Sequence, residues 1–140
     1  MATVRPSQKL TKSILPIMMI AHIFRINYLM KALSEFTIFI LDQLTPLAPI
    51  NVRRMFGAEC LFKNGKMFAI INHEQMYLKA NNDTAHHFIQ RDCEPFSYLT
   101  TRAGIQKRVL LHYYQLPESA LDDVDELCDW VRLGILASQP

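Results

Sequence analysis

Glycine and cysteine are scarce in this sequence of 140 residues, and their scarcity excludes several classes of protein. Four glycines and seven prolines exclude collagen-like and low-complexity chains. The three cysteines are odd in number and widely spaced, so they do not predict a disulfide framework. No two of them form a Cys-x-x-Cys pair, which is the signature of structural zinc and of thioredoxin-like chemistry. Reduced thiols in a cytoplasmic protein are therefore expected.

Catalytic motifs are missing as well. The sequence contains no Gly-x-Ser-x-Gly, phosphate-binding loop, His-Glu-x-x-His or dinucleotide fingerprint. His86 and His87 are adjacent on a predicted helix, so their side chains diverge by about 100°, whereas a two-histidine metal face needs a spacing of three or four. Cys60 falls on the apolar face of a predicted strand, which favours a buried, inert thiol over a nucleophile. We therefore expect no enzymatic activity, no metal site and no cofactor.

Charge is distributed unevenly, although the formal net charge is only +2. Residues 1–29 contain Arg5, Lys9, Lys12 and Arg25 and no acidic residue. Subtracting these four from the 15 basic residues leaves 11 against 13 acidic residues, a net charge of −2 for residues 30–140. A weakly acidic domain lacks the broad basic surface of a dedicated nucleic-acid binder. We therefore expect it not to bind DNA strongly alone.

The N-terminal segment has three interpretations. Residues 13–24 (SILPIMMIAHIF) are mostly apolar and follow Lys9 and Lys12, but a membrane span needs about 20 apolar residues. The segment is a weak signal or anchor, or a helix that packs on the domain, or it precedes the true start of translation at Met30. We favour the last, with residues 1–29 as an extension and residues 30–140 as a single domain. No membrane association is expected.

Apolar spacing and turn residues predict the element order α-β-β-β-α-β-β-α. Ser34 is a good N-cap for the first helix, and Asn82 or Asp83 for the second. Asp123, followed by Glu126, is a good N-cap for the last. The apolar stripe predicted for the last helix consists of Val124, Leu127, Cys128, Val131 and Ile135.

The predicted strands form an antiparallel meander followed by a further pair. Asn64-Gly65 is the strongest hairpin signal in the sequence, and turns are also predicted at His73-Glu74 and at Ala103-Gly104. Gly57 is interpreted as a bulge or tight bend that follows two core side chains, Met55 and Phe56. The fold class predicted is α+β, a two-layer domain with an antiparallel five-stranded sheet and helices packed on it.

A series of short motifs resembles a known family in its order and spacing over roughly residues 33–137. The motifs are Arg53-Arg54-Met55-Phe56-Gly57, Leu61-Phe62, Asn64-Gly65, Met67-Phe68-Ala69, Tyr77-Leu78-Lys79, Pro95-Phe96-Ser97-Tyr98, Tyr113-Tyr114-Gln115-Leu116-Pro117, and a terminal helix with Asp125-Glu126-Leu127 and Trp130. Together they resemble the N-terminal domain of the TfoX/Sxy competence regulators. The resemblance implies a two-layer fold similar to secretion-chaperone-like and YjbR-like domains.

The resemblance also implies a function. Members of the family regulate natural competence together with the catabolite activator protein at promoters, and they carry a second, helical C-terminal domain that has no counterpart before Pro140. The expected function is a protein-interaction module, acting as a transcriptional co-regulator, with a transcription factor of the catabolite activator type as partner. A homodimer is a further expectation, because an open sheet leaves edges to be covered.

Direct nucleic-acid binding is the alternative. If the strands that carry them are neighbours, basic and aromatic residues form a patch on one sheet face that is able to bind an acidic protein surface or a nucleic-acid backbone. An internal ion pair of Arg53 or Arg54 with an acid such as Glu59 is the competing interpretation. The candidate binding residues are Arg53, Arg54, Tyr77, Lys79, Lys107 and Arg108.

Overall fold

A computed structural model of the chain describes residues 33–140. The predictions for the extension of residues 1–29 and for a start at Met30 lie outside the described residues. The sheet and the two helices that pack on it belong to the second of two compact units, residues 39–140. None of the helices among residues 33–140 could span a lipid bilayer.

The predicted α+β class is confirmed, with six strands instead of five. All six form one antiparallel sheet in the order β1-β2-β3-β4-β6-β5, so β1 and β5 are its edge strands within residues 33–140. The elements are α1 (Glu35–Gln43), a 3-10 turn (Thr45–Leu47), β1 (Asn51–Met55), β2 (Ala58–Lys63), β3 (Lys66–Asn72), β4 (Gln75–Lys79), α2 (Ala85–Ile89), β5 (Pro95–Arg102), β6 (Ile105–Gln115), a second 3-10 turn (Glu118–Asp122) and α3 (Val124–Ser138).

Of the two interpretations of Gly57, the tight bend is correct, and the sixth strand arises because Phe56-Gly57 is a complete hairpin turn. Phe56 and Gly57 have φ angles of 54° and 77°, and Met55 pairs with Ala58 across them. The Asn64-Gly65 turn has φ angles of 53° and 76°. Positive φ at both central residues defines the type I′ turn that matches the twist of paired strands. The segment therefore reverses the chain, and β1 and β2 are separate strands.

Phe56 was predicted to lie in the core, and that prediction is wrong. Its side chain is 98% exposed because the first central residue of a two-residue turn points away from both strands. A bulky residue at positive φ is unusual, since the left-handed region brings its Cβ close to the backbone. Met55, the last residue of β1, was also predicted to lie in the core and is half-buried.

The predicted caps at both ends of the domain are confirmed. The backbone N–H of Thr37 donates to Ser34 Oγ at 3.1 Å. At the start of α3, Asp123 Oδ1 accepts from the N–H groups of Asp125 (2.9 Å) and Glu126 (3.2 Å). These bonds satisfy donors that the first helical turn leaves free.

The cap predicted at Asn82 or Asp83 is wrong, because Thr84 is the residue before α2 and its side chain caps no N–H of the helix. The turn before the helix is instead closed by Asn81. Asn81 Oδ1 accepts from the N–H groups of Asp83 (2.9 Å) and Thr84 (3.0 Å), and Thr84 Oγ1 accepts from the N–H of Asn81. This reciprocal turn begins directly after β4, so α2 is held against the sheet.

Helices α2 and α3 pack on one face of the sheet, which we call the first face. Leu61, Ala69, Leu78 and Tyr114 lie side by side across four strands on this face. Gly134 of α3 lies directly over Leu78. The predicted stripe of α3 is correct at Leu127, Cys128 and Val131 but not at Val124, which is 42% exposed. The buried side of α3 is instead extended by Trp130, Gly134 and Ala137.

Candidate functional site

The opposite face of the sheet, which we call the second face, has an apolar cluster of its own. Ala58, Cys60 and Phe62 alternate along β2, as predicted, and are buried together with Ile70 and Tyr113. Half-buried apolar and aromatic side chains surround this cluster: Met55, Met67, Tyr77, Phe96 and Leu111. The second face is therefore a continuous apolar surface across β1 to β6.

A cavity of about 620 Å³ lies on this face, between β1–β3 and the first half of β5. Its lining includes Met55, Cys60 and Ile70 on one side and Phe96 and Leu111 on the other. Phe56, Tyr98 and Leu99 also line it and are exposed, so they form its mouth. The cavity is of the size that small ligands and single peptide segments occupy.

Burial affects two titratable groups of the second face, Cys60 and Tyr113. Burial raises the pKa of the Cys60 thiol. Burial, and secondarily the negative charge of an ionised Cys60, raises the pKa of Tyr113 to about 12. Burial also raises the pKa of Cys93 and Cys128. Because the thiolate is the reactive form of cysteine, all three thiols are held in the unreactive form.

The two adjacent histidines of α2 lie closer together than predicted. The ring centroids of His86 and His87 lie 4.0 Å apart and the rings do not diverge as predicted. Nevertheless, residues 33–140 contain no group of three or more His, Cys, Asp and Glu side chains that is able to hold a metal ion.

The structure places the adjacent arginines of β1 on opposite faces. Arg54 Nη2 lies 3.5 Å from Glu59 Oε2, which is the predicted internal ion pair. Arg53 is paired in register with Cys60 and therefore lies on the second face. Its guanidinium carbon is 4.3 Å from the centroid of the Phe62 ring. Only Arg53 of the two thus remains a candidate for binding on the second face.

Tyr77 and Lys79 share the second face, as predicted. The Tyr77 ring meets the Phe96 ring edge-on, with centroids 4.9 Å apart. Lys79 is paired in register with Tyr113 of β6, and its Nζ is 5.7 Å from the Tyr113 ring centroid. Strands β4 and β6 are neighbours, but β2 and β3 separate them from β1, so Arg53 does not join Lys79 in a compact patch.

Lys107 and Arg108 lie on opposite faces of β6. Lys107 is six residues from Tyr113, so by strand alternation it lies on the second face. Arg108 points to the first face and donates from Nη1 to Ser97 Oγ at 2.7 Å. Both belong to a part of the β5–β6 hairpin that pairs with no other strand among residues 33–140, because β4 pairs with β6 only at residues 113–115.

The site residues predicted from the sequence do not include three exposed residues of the second face and its cavity. These are Phe56, Tyr98 and Arg102. The position of Arg102 on this face was predictable from the sequence. It directly precedes the predicted Ala103-Gly104 turn and pairs with Ile105, two residues from Lys107 on the same face. The exposure of Phe56 was not predicted, because a bulge or a tight bend was expected at Gly57 and Phe56 was placed in the core before it.

The fold and its motifs agree with a comparison of the chain against known families. The model of the TfoX N-terminal domain matches residues 42–138, which is more than two thirds of the chain. No curated protein matches the sequence. The matched range includes all six strands and helices α2 and α3. The chain therefore belongs to the TfoX N-terminal domain family, which is associated with the regulation of competence.

Proposed function

We propose that the chain is a non-enzymatic protein-interaction module that acts as a transcriptional co-regulator in the cytoplasm. It binds an apolar segment of its partner in the cavity of the second face. The partner that the family resemblance implies is a transcription factor of the catabolite activator type. One observation carries the proposal, namely that Phe56 is 98% exposed at positive φ at the mouth of an apolar cavity.

The conformation of Phe56 has an energetic cost that its own side chain does not offset. A residue other than glycine in the left-handed region costs on the order of 1–3 kcal/mol. Burial does not offset this cost, because almost the whole ring contacts solvent. Exposed aromatic side chains beside apolar pockets are the usual anchors of protein interfaces. Contact of the ring with a partner is the event that compensates the strain.

The lining of the cavity suits a protein segment more than a substrate. Met55 and Met67 contribute flexible, polarisable side chains, which adapt to different apolar partners. The reacting groups of an enzyme need accessible charge or a nucleophile. Cys60 and Tyr113 instead have raised pKa values, which supports a binding role without catalysis.

Phe56→Asn is expected to separate binding from stability. Asparagine tolerates positive φ and forms the preferred Asn-Gly turn, and the exposed ring contributes little to the core. We expect the free energy of unfolding to rise by about 0.5–1 kcal/mol. The Kd for a purified transcription factor of the catabolite activator type is expected to rise by at least about 30-fold. Isothermal titration calorimetry and urea unfolding measure the two quantities.

The chain offers a matched control in its second turn. Asn64→Phe places phenylalanine in a turn with nearly the same φ angles. We expect it to lower the stability by about 1 kcal/mol without changing the affinity for the partner, because Asn64 does not line the cavity. Equal affinities of wild type and Phe56→Asn contradict the proposal.

A further inference from the structure

The outer part of the β5–β6 hairpin, residues 97–110, is a two-stranded ribbon. Its register runs from Ser97 opposite Leu110 to Arg102 opposite Ile105 at the tip. Neither strand pairs with another part of the sheet over this length. Most of its side chains are exposed, including Ile105 at 69%. The ribbon is therefore accessible from both faces.

The charge on this part of the chain has one sign. Residues 95–117 contain Arg102, Lys107 and Arg108 and no acidic residue. Among the residues of all six strands, Glu59 is the only acid, and it lies on the first face with Arg54. The chain's acids concentrate elsewhere, with six of them between residues 118 and 129. The net charge of the domain thus conceals a second face whose strands contribute only positive charge.

Three of the cations form a row along the second face, which we call the cationic row: Lys79, Lys107 and Arg102. Lys79 lies beside Tyr113, and Lys107 follows about 20 Å further along β6 at about 3.3 Å per residue. Arg102, opposite Ile105, lies about 7 Å beyond Lys107. The hydroxyl-bearing side chains of Tyr98 and Thr100 share this face with Lys107 and Arg102.

We infer that the ribbon binds duplex DNA through the phosphate backbone, with the cationic row as its contact residues. A two-stranded ribbon fits the major groove, which is about 12 Å wide. The row extends over about 27 Å, which is less than one turn of the duplex. Lysine and arginine beside hydroxyl groups are the usual contacts to phosphate oxygens. The phosphates of duplex DNA form a regular line of negative charge, whereas the acidic residues of a protein surface do not. DNA therefore matches the cationic row better than an acidic protein surface does.

Arg108 provides an internal control for this assignment. It neighbours Lys107 in the sequence and carries the same charge, but its guanidinium is bonded to Ser97 on the first face. A general attraction between a basic hairpin and DNA would need Lys107 and Arg108 equally. Binding through the second face needs Lys107 alone. Partner binding in the cavity is a separate property, because the cavity lining includes no member of the cationic row.

The test is the salt dependence of duplex binding by the full chain, measured by fluorescence anisotropy with a labelled duplex of about 24 base pairs and arbitrary sequence. Three phosphate contacts predict that the Kd rises about 40-fold between about 50 and about 200 mM salt. For the double variant Arg102→Gln, Lys107→Gln, the rise is expected to fall to about 3.5-fold over the same range. Arg108→Gln is expected to change the Kd at low salt by less than about twofold.

Two outcomes overturn the inference. The first is that Arg108→Gln weakens binding as much as Lys107→Gln, because the second face is then not the contact surface. The second is that the wild-type chain does not bind the duplex at about 50 mM salt. If it then binds polyglutamate through the same residues, the cationic row is a site for an acidic protein surface.

Discussion

Replacing Phe88 by alanine is expected to lower the free energy of unfolding by about 3–5 kcal/mol. Phe88 is fully buried and lies between two other aromatic side chains. Its ring stacks on Tyr114 with centroids 5.5 Å apart, and it is 5.0 Å from the ring of Trp130. The substitution leaves a cavity where α2, α3 and β6 meet, because neither strand nor helix backbone is able to close the space.

Trp130 reports this change directly, since it is the only tryptophan of the chain. We expect its emission to shift to longer wavelength in Phe88→Ala as water reaches the ring. Ile89→Ala is the matched control, because Ile89 follows Phe88 in the same short helix and is 57% exposed. A loss below about 1 kcal/mol is expected there. A similar small loss in Phe88→Ala would show that the three rings do not form the core.

Gly134→Val is expected to have the second largest effect, a loss of about 3 kcal/mol. A Cβ atom at Gly134 meets Leu78 Cδ2 and the backbone oxygen of Phe68, each at 3.2 Å. The carbonyl belongs to the central strand β3 and cannot move aside without breaking its pairing. Valine adds two further methyl groups at this point, so α3 is displaced from the sheet. Urea unfolding measures the loss.

Two further variants of α3 give the necessary comparison. Gly134→Ala gains about 1 kcal/mol of helix propensity but meets the same carbonyl, so we expect a smaller loss than for valine. Leu136→Val changes an exposed residue two positions away, and we expect a change within about 0.5 kcal/mol. If Gly134→Val is as stable as wild type, α3 does not approach β3 as closely as the structure shows.

The difference between five predicted strands and six observed ones comes from a single turn. The four two-residue hairpin turns within residues 33–140 have nearly the same backbone conformation at their first residue, with φ between 52° and 54°. Asn64-Gly65 has the composition that this conformation favours, and the two other predicted turns interrupt obvious apolar runs. Phe56-Gly57 has a bulky apolar residue in the strained position. The local sequence preference therefore predicts a continuous strand at Phe56-Gly57. Pairing between β1 and β2 stabilises a turn there instead.

The faces of the site residues were predictable, but their neighbours were not. Alternation along a strand separates Arg53 from Arg54 and groups Tyr77 with Lys79, and the structure agrees. The order of strands in the sheet depends on the long connection from β4 through α2, which places β6 and not β5 beside β4. Contacts between distant segments decide this order, and the periodicity of the sequence contains no information about them.

The net charge of residues 30–140 also did not predict the charge of the second face. The sum for residues 30–140 is negative, yet the strands of the second face contribute Arg53, Lys79, Arg102 and Lys107 and no acid. The helical turns after β6 contain the compensating acids. Because charge is screened within about 8 Å in physiological salt, a partner on the second face experiences the local charge and not the sum.

Amide hydrogen exchange is able to show whether the second face of the sheet is the binding face. The exchange of the full chain is measured alone and with a purified transcription factor of the catabolite activator type. We expect slower exchange at residues 55–58 and 96–99, around the mouth of the cavity, and unchanged exchange in α3. Protection confined to α3, with none around Phe56, would contradict the account.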